Sequence, residues 1–195
     1  MTFRTILKTS GLTILLALVA ASAPTKKVPP ELASIDRKIA HLEANASAAH
    51  PSTNSTVLTE AEINAYLASD EVDMPAGVQS VRLSGTSGAV SGMARIDFDQ
   101  VRAGTNSSNP LLSIFSGIHE VAVETHAYGK GGQGYVHVDS VSLDGIEVPH
   151  FVLELFVEKY LTPRYPQIGM DSRFALPDRI DTAVVGQHQV TLVQK

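Results

Sequence analysis

The sequence predicts an α+β domain: a curved antiparallel sheet wrapped around one long apolar helix, with a short helix ahead of it. Three observations predict it. Residues 151–161 carry Phe151, Val152, Leu153, Leu155, Phe156, Val157, Tyr160 and Leu161, broken only by Glu154, Glu158 and Lys159. A helix apolar on most of its circumference must be covered on several sides. Before and after it lie pairs of alternating apolar and polar runs joined at Gly-rich turns, the pattern of hairpins with one dry face. Helical periodicity is otherwise confined to two short stretches near the start.

Residues 31–44 read as the first of these, with Leu32, Ile35, Ile39 and Leu42 on one stripe and Arg37, Lys38, His41 and Glu43 opposite. The stripe suits docking on the domain or self-association. It is too narrow and too poor in Lys and Arg for a helix lying in a membrane surface. Residues 45–56 are small, polar and unperiodic, and read as a flexible linker. Thr59 and Glu62 then form a capping box opening a helix over 60–68, with Ile63, Tyr66 and Leu67 as its apolar side.

The first hairpin turns around Thr86-Ser87. Pairing Gly85 with Gly88 sets Leu83 opposite Val90, Val81 opposite Gly92 and Gln79 opposite Ala94, with Ile96 and Phe98 continuing the face. Residues 99–117 form a connection holding Leu111, Leu112, Ile114 and Phe115, read as a short turn tucked into the core or a lip that touches a partner. The second hairpin turns at residues 130–133. Pairing Gly129 with Gly134 sets Tyr128 opposite Tyr135, His126 opposite His137 and Glu124 opposite Asp139. Val121, Val123 and Ala127 then share the other face with Val136 and Val138. Asp144-Gly145 is a tight turn, and Pro149 sets φ for the start of the long helix. A last hairpin pairs 179–185 with 189–194 around Gly186-Gln187.

The chain has 195 residues, no cysteine and a formal charge of −5. The missing cysteine removes disulfides, thiolate metal sites and a lipid-bearing N-terminus. The acidic balance argues against nucleic acid as a partner. Arg4 and Lys8 precede an apolar run over 11–20, followed by Ala20, Ala21, Ser22 and Ala23. This is the pattern of a signal peptide over 1–21, cut before Ser22. The expected product is an exported, periplasmic or envelope protein, with helix and linker over 22–56 and the domain over 57–195.

No reaction is legible. His126, His137, Glu124 and Asp139 would share one strand face, yet a solvated polar ladder is the simpler account than a metal site. No spacing singles out a nucleophile with a base, and the Gly-rich turns lie between strands rather than ahead of a helix, which rejects a phosphate loop. No enzyme, cofactor or metal is expected.

Leu58, Thr59, Glu60, Ile63, Asn64 and Leu67, then Gly145, Ile146, Val148 and Pro149 ahead of the apolar helix, then Leu176, Pro177 and Ile180, stand in a familiar order. Over 57–195 the chain resembles bacterial exported tubular lipid-binding (TULIP-like) domains, including the YceB-type and LmeA-type phospholipid-binding families. The resemblance implies an apolar groove for acyl chains between a long helix and a curved sheet. Phe151, Leu155 and Phe156 would line it from the helix, and Val121, Val123, Val136 and Val138 from the sheet. The expected partner is a lipid or other apolar small molecule. Membrane association and self-association through 31–44 stay open, as does the alternative of a structural envelope protein with a closed core.

Overall fold

The computed structural model describes residues 28–103 and 110–195, the side chain of Leu112 excepted. The expected signal segment lies outside the described residues. No helix among the described residues is long and apolar enough to cross a membrane.

The chain is organised by one long hairpin, β4 (Ile118–Lys130) and β5 (Gln133–Leu143). One edge of β4 pairs with β3 (Ala89–Asp97) up to His126, and then with β8 (Ile180–Gly186) at Tyr128 and Gly129. β2 (Val78–Thr86) lies outside β3, and β9 (Gln189–Gln194) and β1 (Thr56–Thr59) lie outside β8. On its far edge β5 pairs with β6 (Ile146–Glu147) and β7 (Asp171–Ala175). Among the described residues the result is an open nine-stranded antiparallel sheet: on one side of the β4–β5 hairpin it divides into β3–β2 and β8–β9–β1, and on the other it ends in β6 and β7.

Alternation along these registers gives the sheet two faces. Val121, Val123, Thr125 and Ala127 face inward; Glu124, His126 and Tyr128 face outward and are exposed. The apolar face carries two separate cores. One gathers Val121, Leu143 and Val148 with Phe98 from α3 (Phe98–Val101), Phe115, and Val152, Leu153 and Phe156 from α4 (His150–Phe156). The other sets Leu42 of α1 (Pro30–Ala46) on Ile180 and Leu192. A single open sheet covered on one face explains why the outer face is polar.

α2 (Glu60–Leu67) ties these parts together. Its capping box forms as expected: Glu62 N–H donates to Thr59 Oγ1 and the Glu62 carboxylate accepts the Thr59 amide. The same carboxylate takes Ser34 Oγ at 2.6 Å and Lys38 Nζ at 2.7 Å, which fastens α1 to α2. Asn64 bonds both the N–H and the C=O of Leu83, each at 2.8 Å, and so satisfies part of the free edge of β2. From the last turn of α1, within the stretch expected to be a flexible linker, Asn45 bonds Ser52 and the buried Gln194.

The expected long apolar helix is not there. α4 has seven residues and runs into a five-residue π turn, Val157–Leu161. It is also one-sided. Val152, Phe156 and Tyr160 are buried, and the wide turn keeps Tyr160 on the buried side. Phe151 stands 55% exposed. The open sheet lends this helix one face to pack on, not a surrounding wall, so the apolar residues on its far side have nothing to bury against.

Two registers also differ from expectation. The first hairpin closes one step later: Ser87 and Gly88 form the loop, Gly88 takes φ 76°, and Leu83 faces Gly92 rather than Val90. The shift is two residues, so each side chain keeps its face. In the second hairpin Gly129, Tyr128 and His126 pair as expected, but a bulge at Asp139 places Glu124 opposite Ser140. The bulge has a packing cause. Val136 and Val138 alternate in one phase and Val141 and Leu143 in the other, and one extra residue brings all four to the inner face.

Where β4 crosses to β8, Gly129 lies so close that a Cβ would stand 2.7 Å from Ala183 Cβ and 2.8 Å from its nitrogen. Gly129→Ala is therefore expected to cost on the order of 1–3 kcal/mol, read as a lower midpoint in chemical denaturation. An unchanged midpoint would show that this crossing is not close-packed.

Candidate functional site

The candidate site is a cavity of about 430 Å³ at the end of the sheet where β4 begins and β5 ends. Its walls are Ile114, Leu143, Ile146, Val148 and Pro149, with His119, Asp144 and Glu147. Each wall is set by local chemistry. Asp144 and Gly145 both take positive φ, 49° and 82°, the two-residue turn that Asp-Gly favours. That turn returns the chain for only two paired residues and leaves Ile146 75% exposed. Pro149 ends the extended segment and starts α4. Opposite, a 3₁₀ turn, Pro110–Ile114, presents Ile114, while Phe115 after it plunges into the core.

Large apolar side chains stand exposed around this end: Leu111, Ile114, Ile146 and Phe151 come from three neighbouring elements. The 3₁₀ turn packs against α4. The connection at 99–117 is thus buried at Phe115, as a core turn would be, and exposed at Leu111 and Ile114.

His119 is bonded through both ring nitrogens. Its Nδ1 lies 2.6 Å from Asp144 Oδ2, and its Nε2 lies 2.7 Å from the Ser116 carbonyl. The hydrogen bond to Asp144, and then that to Ser116, raise the His119 pKa against the opposing effect of burial. Asp144 is lowered in turn by His119 and by the Glu120 amide.

The seven residues expected to line a groove do not come together as one wall. Phe156 and Val121 are buried in the core. Val123 and Leu155 are half-buried and pack against that core. Val138 is half-buried on the inner face, and Val136 borders a cleft of about 240 Å³ with His126, Tyr128, Tyr135 and Arg173. Phe151 is exposed at the apolar end. The sequence reading had Ile114 in a core turn or lip, Asp144 in a tight turn and Ile146 as a motif position, but placed none of them at the ligand site, and it did not name His119. The signals for them were the apolar run at 111–115 in a polar connection and Ile146 directly after a tight turn.

Three other cavities lie elsewhere on the described residues. The cleft beside Tyr128 lies among exposed His126, His137 and Asp171, and each histidine already has its own carboxylate: Asp139 for His126 and Asp171 for His137, both at 2.7 Å. Among the described residues no group of His, Asp or Glu could hold a metal ion. A hollow of about 490 Å³ between the start of α1 and the end of α2 is walled by Val28, Pro29, Leu32, Ala65 and Ala68 with Ser69, Asp70 and Glu71. The recess under α2, lined by Ile63, Leu83 and Val185, is apolar but only about 70 Å³.

No family model, curated protein or solved structure matches this chain.

Proposed function

We propose that this is an exported envelope protein that binds the acyl chain of a lipid, or another apolar ligand, non-covalently in the cavity at the base of the sheet. The observation that carries the reading is the pairing of a cavity of about 430 Å³ with exposed Ile114 and Ile146 on its two lips. That volume lies in the ordinary range for small-molecule sites, and five of its eight walls are apolar. The likeness of residues 57–195 to tubular lipid-binding domains supports the same ligand class, and the pattern over 1–21 supports export. The ligand-binding residues move accordingly, from the groove along α4 to its N-terminal end, with Phe151 retained. We read the chain as a binding protein rather than an enzyme.

The test is fluorescent fatty-acid binding to the purified protein. Ile146→Asp is expected to weaken binding about 10-fold or more, since it removes an apolar contact of about 1.5–3 kcal/mol, while the thermal midpoint stays close to wild type. A wild-type protein that takes up no fatty acid would end the proposal. The alternative would then stand, a structural envelope protein, which the tight closure of Phe156 and Val121 within the core favours.

A further inference from the structure

The cavity has two lips, and one side chain joins them. The first lip is the 3₁₀ turn with Ile114, followed by Ser116 and by Gly117 at φ 78°. The second is the Asp144-Gly145 turn that carries Ile146. His119 stands between them, bonded to the Ser116 carbonyl on one side and to the Asp144 carboxylate on the other. A carbonyl only accepts, so Nε2 must carry a hydrogen. Asp144 already accepts the Glu120 amide at 2.9 Å through its other oxygen, and as a carboxylate it too only accepts, so Nδ1 must carry one. Both bonds together therefore require the imidazolium. A neutral ring has one N–H and can donate to one lip at a time.

We propose that His119 is a proton-operated clasp on the cavity: charged, it holds both lips, and on losing a proton it releases the lip at Ser116. This rests on the reading of the cavity as the ligand site. The bond to ionised Asp144 is the stronger of the two, because it is charge-assisted, so the Ser116 bond is the one given up. The release is local. Phe115 stays packed in the core, and the Phe98 amide still holds the Gly117 carbonyl at 2.8 Å. The mouth loosens; the domain does not open.

Charges of both signs lie around the ring, and its two bonded acceptors, Asp144 and the Ser116 carbonyl, are what favour the charged form. Glu147 on β6 lines the same cavity. On β3, Arg95 acts on Asp144, and Asp97 is engaged in capping α3. The Phe98 ring lies 6.0 Å away, and His150 at the start of α4 is turned to Glu154 at 3.3 Å. With the His119 pKa raised above its ordinary 6.5, the bridge is complete below about pH 6.5 and is lost as pH rises through the raised value.

The experiment follows the whole protein by NMR from about pH 5 to 9, across the range in which histidine titrates, and measures release of a bound fluorescent fatty acid over the same range. The Ser116 carbonyl and Gly117 amide resonances are expected to move with the His119 ring, at a midpoint above that of an ordinary histidine. Fatty-acid release is expected to quicken several-fold across that midpoint. His119→Gln should flatten both curves. Asp144→Asn, which keeps a residue that tolerates the turn but removes the charge, should shift the midpoint down. Resonances of Ser116 and Gly117 that ignore the His119 titration overturn the clasp, as does a pH-dependent release that survives in His119→Gln. If the resonances follow His119 but no fatty acid binds, the clasp stands and only the ligand reading falls.

Discussion

Phe115→Ala is expected to cost about 3–5 kcal/mol, the range for removing a fully buried aromatic ring. Phe115 is 2% exposed. Its ring lies 4.2 Å from that of Phe156 and 5.4 Å from that of Phe98, and Phe156 in turn meets Tyr160 at 5.2 Å. These four rings join a loop, α3, α4 and the π turn to the sheet, so no neighbour can move into the space without disturbing another. A domain of this size has only about 5–15 kcal/mol of stability in total. The check is urea denaturation, where the midpoint should fall with an unchanged slope. Phe151→Ala is the control. At 55% exposure it should change stability by about 1 kcal/mol or less. If the two variants lose the same amount, the core is not where the rings place it. The comparison also bears on function, because a ring lining an open groove would cost less than a close-packed one.

Glu62→Gln is expected to cost about 3 kcal/mol at neutral pH and to change how the protein responds to acid. Glu62 is 5% exposed. Burial pushes its carboxyl up, but hydrogen bonds from Lys38, Ser34 and the Thr59 amide outweigh burial and hold its pKa lowered from 4.5 to about 2. A carboxylate with a depressed native pKa stabilises the fold above its unfolded value. Its contribution is therefore full above about pH 4.5 and is lost as pH falls toward about 2. The wild-type denaturation midpoint should decline through that window, and Glu62→Gln should start lower and decline less steeply. Removing the charge also unfastens α1, since Lys38 and Ser34 both lie on it. Limited proteolysis should then cut between α1 and β1 before it cuts the sheet. Equal acid profiles for the two proteins would show that this carboxylate does not titrate with folding.

Much of the local structure was legible because it depends on a few adjacent residues. The Thr59–Glu62 capping box, the Asp144-Gly145 turn, the start of α4 after Pro149 and the register of His126 with His137 all formed where the sequence placed them. The two-residue error at Ser87-Gly88 left the faces unchanged, since strand alternation has a period of two. The bulge at Asp139 was legible in principle. Val136 and Val138 change phase before Val141 and Leu143, and an extended chain can reconcile that only by adding a residue.

By itself the sequence determined the class of fold, an antiparallel α+β domain with one dry face, because hydrophobic period and turn chemistry act within a few residues of each other. Only the tertiary structure decided what the dry face meets. It left the sheet open, split the apolar side chains into two cores, and gave α4 a wall on one side alone. It sent Phe115 inward and Ile114 outward from one apolar run, and it turned the N3 residue of a capping box into the buried anchor of a second helix. Each of these depends on contacts between residues far apart in the chain. A local pattern says that a side chain must be covered; which part of the protein covers it, and where a cavity remains, is set by the packing of all the elements at once.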